Sequence, residues 1–276
     1  MFSCLSLFCY NMERVKSMTR GIEMYKIYYI MHSCFLVELS DRYLLFDYFD
    51  KNVIGDVVQY HGSLPQLDAD KYLYVFASHS HKDHWWLECL RWADSRDNIK
   101  FILSKDIRLG RNYLTRNGFD LSIKDKIQFV TSMKKYKVDD MEIETLRSTD
   151  AGVAFAIKVG DKSFYHAGDL NWWNAEGRGE LFGEVYGREY KRALKAIINR
   201  HFDAAFVVLD SRMGEDGYFL GMEYFVQKIE CDNIFPMHTW GDYKWIKRFK
   251  ERPSIANLKD RIVDIDQENM LFEIED

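Results

Sequence analysis

Apolar, β-branched and aromatic residues fall along the chain in short runs of four to seven, each closed by polar turn residues. Runs of that length predict strands, whereas three-to-four spacing, which predicts helices, is confined to a few stretches. The first strand group is residues 25–29, 34–39, 43–46 and 72–77. A helix from about His84 to Ala93, a strand over 101–104 and a helix from Asp106 closed by Asn117-Gly118 follow it. The second group is 127–131, 135–138, 141–146, 153–159 and 163–166. It continues as helix 180–200, strand 204–209, helix 221–229, strand 234–237 and helix 243–251. Two strand groups, each trailed by helices, predict an α/β (α+β) chain with two sheet layers and helices outside.

No Pro/Gly/Ser linker, internal repeat or low-complexity tract divides the 276 residues, which predicts one domain over residues 24–276. Residues 1–23 carry no strand pattern. Their apolar start, Met1 to Met12, lacks a basic n-region and a small-residue cleavage site and is too short to span a bilayer. We expect an N-terminal extension with no part in the chemistry. A hydrophobic content of 47% suits a packed core.

A net charge of −5 argues against nucleic-acid binding, which needs clustered Lys and Arg. The one basic run, Lys244-Trp-Ile-Lys-Arg-Phe-Lys250, fits the solvated face of a helix whose Trp245, Ile246 and Phe249 point inward. Five scattered cysteines without a Cys-x-x-Cys pair predict buried thiols in a reduced cytoplasmic protein, with neither disulfide scaffold nor thiolate metal site.

The candidate chemistry sits in His79-Ser80-His81-Lys82-Asp83-His84, right after the apolar run 72–77. Three of the chain's 8 histidines lie within these six positions. A strand ending in a tight turn puts His79 and His81 on one side while Asp83 and His84 swing round beyond them. Neutral imidazole and carboxylate are ordinary ligands of zinc and its neighbours, so the segment predicts a metal site.

This segment resembles the His-x-His-x-Asp-His motif of the metallo-β-lactamase superfamily, and further matches follow in chain order. Asp47 ends the strand run 43–46, Asp169 sits in Tyr165-His-Ala-Gly-Asp169, and His238 sits in Ile234-Phe-Pro-Met-His238. Where many members carry a third histidine, Ser148-Thr149-Asp150-Ala-Gly152 offers Asp150. The stretch Ile30-Met-His32-Ser33 is similar to the Gly-His-Ser of the subgroup containing ascorbate-6-phosphate lactonase, with Met31 in the glycine's place.

The resemblance implies a four-layer αββα sandwich and two divalent metal ions, zinc first, with manganese or iron favoured by the Asp150 carboxylate. It implies one metal on His79, His81 and Asp150, a second on Asp83, His84 and His238, and Asp169 bridging them. The metals would lower the pKa of a shared water toward neutrality, and Asp83 would orient it and shuttle its proton. Asp47 is expected to support the histidines from behind. His32 would line the site or be an ordinary half-buried histidine, His166 would point elsewhere, and His61 and His201 would be surface residues.

Five of the 7 tryptophans, Trp85, Trp86, Trp172, Trp173 and Trp240, flank these segments and as a set are expected to form an apolar rim over the metals. Arg212 would clamp an anionic group with Asp210 behind it, a plain ion pair being the competing reading. The implied activity is a metal-dependent hydrolase for a small ester, lactone or phosphodiester, with a small-molecule substrate and no nucleic-acid or membrane partner. An RNase Z-like nuclease is the enzyme alternative, weakened by the acidic balance. A flavodiiron-type oxidoreductase would carry Glu in place of His81. A metal-binding regulatory protein without turnover is the reading from another class.

Overall fold

The computed structural model describes residues 24–52 and 58–275. The expected extension over residues 1–23 lies outside the described residues, as do Cys4 and Cys9.

Along the chain come β1 (Tyr25–Met31), β2 (Cys34–Glu38), β3 (Arg42–Phe46), β4 (Tyr72–Ala77), β5 (Ile99–Ser104), α1 (Arg111–Arg116) and β6 (Ile127–Val130). Then follow β7 (Lys135–Val138), β8 (Met141–Arg147), β9 (Val153–Val159), β10 (Lys162–His166) and α2 (Glu180–Leu194). The last part holds β11 (His201–Val208), α3 (Leu220–Lys228), β12 (Glu230–Met237), α4 (Lys244–Lys250) and β13 (Met270–Ile274). One sheet has the order β13-β1-β2-β3-β4-β5-β6 and the other β12-β11-β10-β9-β8-β7.

Strand direction decides where the chemistry falls. In the first sheet β1 and β3 run the same way, each antiparallel to β2, and β4 and β5 continue parallel to β3. In the second, β8 and β10 are each antiparallel to β9, and β11 and β12 run parallel to β10. Within each sheet the residues just past these carboxyl ends therefore collect at one edge, the usual place for a site in sheets with parallel segments. His32, Asp47 and His79 follow β1, β3 and β4; Asp150, Asp169, Asp210 and His238 follow β8, β10, β11 and β12.

Alternation sorts each strand of the first sheet between two cores. Phe35, Val37, Leu44, Phe46, Tyr74 and Phe76 face the second sheet and pack with Phe155, Phe164, Phe206 and Phe235. Leu36, Leu45, Leu73 and Val75 face outward under Leu90, Ile107 and Leu114. Beyond the second sheet lie Tyr190, Leu194, Met222, Phe225, Ile246 and Phe249 of the helices. The result is the expected αββα sandwich. Cys34, Cys89 and Cys231 are buried free thiols, and no helix of the described residues is long and apolar enough to cross a membrane.

Several expected elements differ. Residues 127–130 join the first sheet, parallel to β5, instead of the second. The crossover through α1 and the turn at Leu121–Lys126 is long enough to permit parallel pairing, and hydrophobic pattern alone does not name a partner strand. The helix expected from His84 is a 3₁₀ segment, Leu87–Asp94, because the amides of His84 and Trp85 both turn back to the His81 carbonyl. The helix expected from Asp106 begins at Arg111, since Ile107 and Leu109 are buried in the preceding turn. α2 stops at Leu194, six residues short of the expected end. β13, which pairs with β1, was not anticipated.

Phe35 is fully buried, its ring centroid 4.4 Å from that of Phe206 on the opposing sheet. Phe35→Ala should cost about 3–5 kcal/mol in denaturant unfolding. A loss below about 1 kcal/mol would show that the sheets do not meet there.

Candidate metal centre

The buried carboxylate of Asp47 organises the first sheet's side of the site. It accepts the Ser78 amide and hydroxyl, both at 2.7 Å, and His84 Nδ1–H at 2.8 Å. Because the Ser78 hydroxyl is spent on Asp47, its oxygen accepts from His79 Nδ1 at 2.9 Å. Both imidazoles are thereby oriented with Nε2 facing the opposite sheet. Asp210 does the same for His238, accepting Nδ1–H at 3.0 Å. His32 Nδ1 bonds the Tyr60 hydroxyl at 3.0 Å.

The free ring nitrogens and carboxylate oxygens then converge. His84 Nε2 and His238 Nε2 stand 3.2 and 3.4 Å from Asp169 Oδ1, while His79 Nε2 stands 3.5 Å from Asp169 Oδ2. Asp83 Oδ2 lies 3.4 Å from His32 Nε2 and 3.8 Å from His84 Nε2, and Asp150 Oδ2 lies 3.7 Å from His81 Nδ1. Ligand atoms at the corners of a tetrahedron 2.0–2.1 Å from an ion would be about 3.3–3.4 Å apart. The buried Nε2 atoms of His32, His79 and His84 and Oδ1 of Asp169 have no hydrogen-bond partner. Such groups are costly unless something else satisfies them. Two sets emerge: His79, His81, Asp150 and Asp169, and His32, Asp83, His84 and His238. Soft thiolates are absent from both, so the donor set suits zinc, manganese or iron.

Burial and neighbouring charges move these groups in different directions. Burial, reinforced by neighbouring histidines, pushes His32 down to about 3 and His79 down to about 4, leaving both as neutral imidazoles. Burial opposes the charge of Asp169, yet His84 and His238 hold its carboxyl well below the usual range. Burial likewise opposes charge on Asp83 and is overcome by His32 and His84. For His84, burial favours the neutral ring, but Asp169 and Asp47 lift it well above the usual imidazole range. Burial and the charge of Asp169 raise Asp150.

Holding these loops costs backbone strain. Four of the seven non-glycine residues with positive φ among the described residues are His32, Asp47, His238 and Trp240. Non-glycine residues in that region cluster at functional sites. Two glycines allow the loops to touch: a Cβ on Gly152 would meet the Ser78 carbonyl oxygen at 1.9 Å, and one on Gly168 would meet Ser78 Cβ at 2.6 Å.

Of the other expected site residues, Trp240 lines the cavity, about 440 Å³ in volume, that opens over both sets. Arg212 binds Asp210 through Nε and Nη2 and lies 4.1 Å over the Trp240 ring. Trp85 and Trp172 do not line the cavity. Trp85 packs against the outer core of the first sheet. Trp172 lies on Gly187 of α2, donates its indole N–H to the Gly183 carbonyl and carries Lys191 over its face. Its neighbour Trp173, one of the expected rim tryptophans, faces the cavity, and so do Phe182, Tyr186, Met213 and Arg178, which the sequence pattern did not single out. His32 joins the second set directly. His166 is buried against Phe46, bonded to the Ser33 carbonyl, and His61 and His201 are exposed.

Fold and site together define a metal-site protein built on two facing sheets. The sequence profile of the Beta-lactamase superfamily domain matches residues 26–177, and the chain belongs to that family. No curated protein sequence matches. Among solved structures, the chain is similar to Igni18, a metallo hydrolase from the archaeon Ignicoccus hospitalis, at 18% identity and TM-score 0.58, covering 91% of this chain and 99% of that one. It is also similar to isothiocyanate hydrolase from Delia radicum gut bacteria, at 12% identity and TM-score 0.50, covering 91% and 100%. A third is CmlA, a diiron β-hydroxylase from Streptomyces venezuelae, at 14% identity and TM-score 0.54, covering 92% of this chain and 55% of that one. At these identities the likeness is one of fold.

Gly152 and Gly160 share a left-handed φ, but only Gly152 abuts other atoms. Gly160→Ala should cost about 1–2 kcal/mol, the price of the conformation. Gly152→Ala should cost clearly more, because Ser78 and His79 must move. Equal losses in thermal unfolding would refute the close loop contact.

Proposed function

We propose that the chain is a metal-dependent hydrolase of a small ester, lactone or phosphodiester. The observation that carries this reading is the convergence of buried imidazole nitrogens and carboxylate oxygens that lack partners. In this reading His79, His81 and Asp150 hold one divalent cation. His84, His238 and Asp83, joined by His32, hold the second. Asp169, within 3.5 Å of His79, His84 and His238, would be shared between the two cations. Zinc is the first choice, and the Asp150 carboxylate favours iron or manganese as alternatives. Such a pair supplies Lewis acidity and a water acidic enough to react near neutral pH.

The chain's own groups supply positioning and proton handling. Asp83, an ionised carboxylate at the cavity floor, accepts a hydrogen bond from the attacking water and carries its proton toward the leaving group. Asp47 and Asp210 keep the imidazoles in the tautomer that presents Nε2. Trp173 and Trp240 flank the reacting group and exclude water. Arg212, fixed by Asp210 and stacked on Trp240, offers its guanidinium edge to an anionic substituent. The His32-Ser33 stretch further suggests a lactonase-like member. Its histidine would serve here as a ligand in its own right.

Elemental analysis of reconstituted protein is expected to find close to two metal ions per chain, with hydrolysis in an esterase and phosphodiesterase screen. Asp169→Ala should lose both ions and turnover, Asp150→Ala one ion, and His61→Ala neither. Asp47→Asn should weaken metal binding by about 10–100-fold. Trace metal in the wild type would end the reading, and two ions without turnover would favour a binding role.

A further inference from the structure

A second cavity of about 440 Å³ adjoins the metal centre. One wall is the segment Met133 to Lys135 with β8 and its following turn; the other is α2 and the turn beyond it. Asp150 and Tyr186 line both cavities, so the groove opens directly onto the metal-binding side chains. Its apolar lining includes Met133, Leu146, Val185, Ala193 and Ala196. Met133 is 74% exposed and Val185 is also exposed, so neither is buried by the fold itself.

The polar rim is cationic. Lys135 and Arg200 both turn to Glu144, at 3.7 and 2.9 Å, which neutralises that carboxylate. Lys134, Arg147 and Arg192 also line the groove, and none has a carboxylate within ion-pair distance among the described residues. Against them, away from the mouth, stands only Glu189. In a chain of net charge −5 this is a local reversal of sign. Arg192 lies six residues beyond Tyr186 on α2, roughly 9 Å along the helix axis from the mouth.

We propose that this groove binds the distal part of the substrate: an apolar chain that leaves the metal centre past Asp150 and Tyr186 and ends in an oxyanion held by Arg147 and Arg192. This rests on the hydrolase reading and narrows its substrate to amphiphilic anions. Apolar walls contribute affinity through buried area. The two guanidinium groups select for carboxylate or phosphate, which they can bind bidentately. A volume of this size suits a small-molecule segment and is too small for a folded partner.

The test uses 11-(dansylamino)undecanoate, whose fluorescence reports an apolar environment, titrated into metal-reconstituted protein. Saturable binding is expected, weakened about tenfold or more in the probe's methyl ester and in the Arg147→Glu/Arg192→Glu double variant. Metal content and melting temperature of that variant should match the wild type. The probe should also inhibit competitively any chromogenic substrate that the wild type hydrolyses. No saturable binding, equal binding by the double variant, or purely noncompetitive inhibition would overturn the proposal. Binding abolished in Asp169→Ala but untouched by the double reversal would also overturn it, since the carboxylate would then sit on the metals. Charge-dependent probe binding to a protein that holds no metal would refute the hydrolase reading while supporting an anion-binding groove.

Discussion

The structure turns on one buried carboxylate. Asp47, with no solvent contact, satisfies the Ser78 amide and hydroxyl and the His84 ring at once. A charge in that position would be prohibitively costly without those donors. With them it stays ionised, because His166 and the bond from His84 overcome the effect of burial. It ties β3 to β4 at their carboxyl ends and, through Ser78, sets the orientation of His79. Two of the three imidazoles that face Asp169, those of His79 and His84, are thus aimed by a single group on the far side of the rings.

Much of this was legible in the sequence. Asp47, His79, Asp83, His84, Asp150, Asp169 and His238 each follow a strand-like run, and the structure gathers them at one edge. Their placement could be read because strand runs are short and the loops that carry these residues directly follow them. What it missed has physical causes. The partner of residues 127–130 depends on a parallel crossover, which leaves no local signature. Trp172 and Trp173 are adjacent and equally apolar, and only the packing of α2 decides which faces the cavity: Gly187 makes room for Trp172, whose indole N–H the Gly183 carbonyl accepts. His32 looked like a lining residue because its ring turns into the second set through a left-handed backbone, φ 50°. Such a conformation is not marked by residue type.

The glycines on the second sheet's side complete the constraint. Gly152 and Gly168 place the Asp150 and Asp169 loops against Ser78 at distances no side chain allows. Thr149 then ties the two loops together, its hydroxyl donating to the Asn171 carbonyl at 2.7 Å and accepting the Asn171 amide at 3.0 Å. Ser78 therefore touches the Asp150 and Asp169 loops while its hydroxyl is engaged with Asp47 and His79. A displacement of any one loop would be transmitted to the others through this residue. Packed loops of this kind move together or not at all.

That rigidity sets the buried cluster apart from the wall in front of it. The side chains that converge behind the cavity are fixed by buried hydrogen bonds and glycine contacts, whereas the cavity's outer wall is α2, held by the buried Tyr190 and Leu194 and by the contacts of Trp172 with Gly183 and Lys191. Tyr186 and Arg192 lie on that helix, so sequence changes along its exposed face alter the shape and charge beside the site without disturbing Asp169, whose loop is held from the sheet side. Trp172 links the two regions: Asp169 stands three residues before it, and α2 lies over its ring. A tryptophan that the sequence pattern assigned to the rim of the site packs instead between the Asp169 loop and α2.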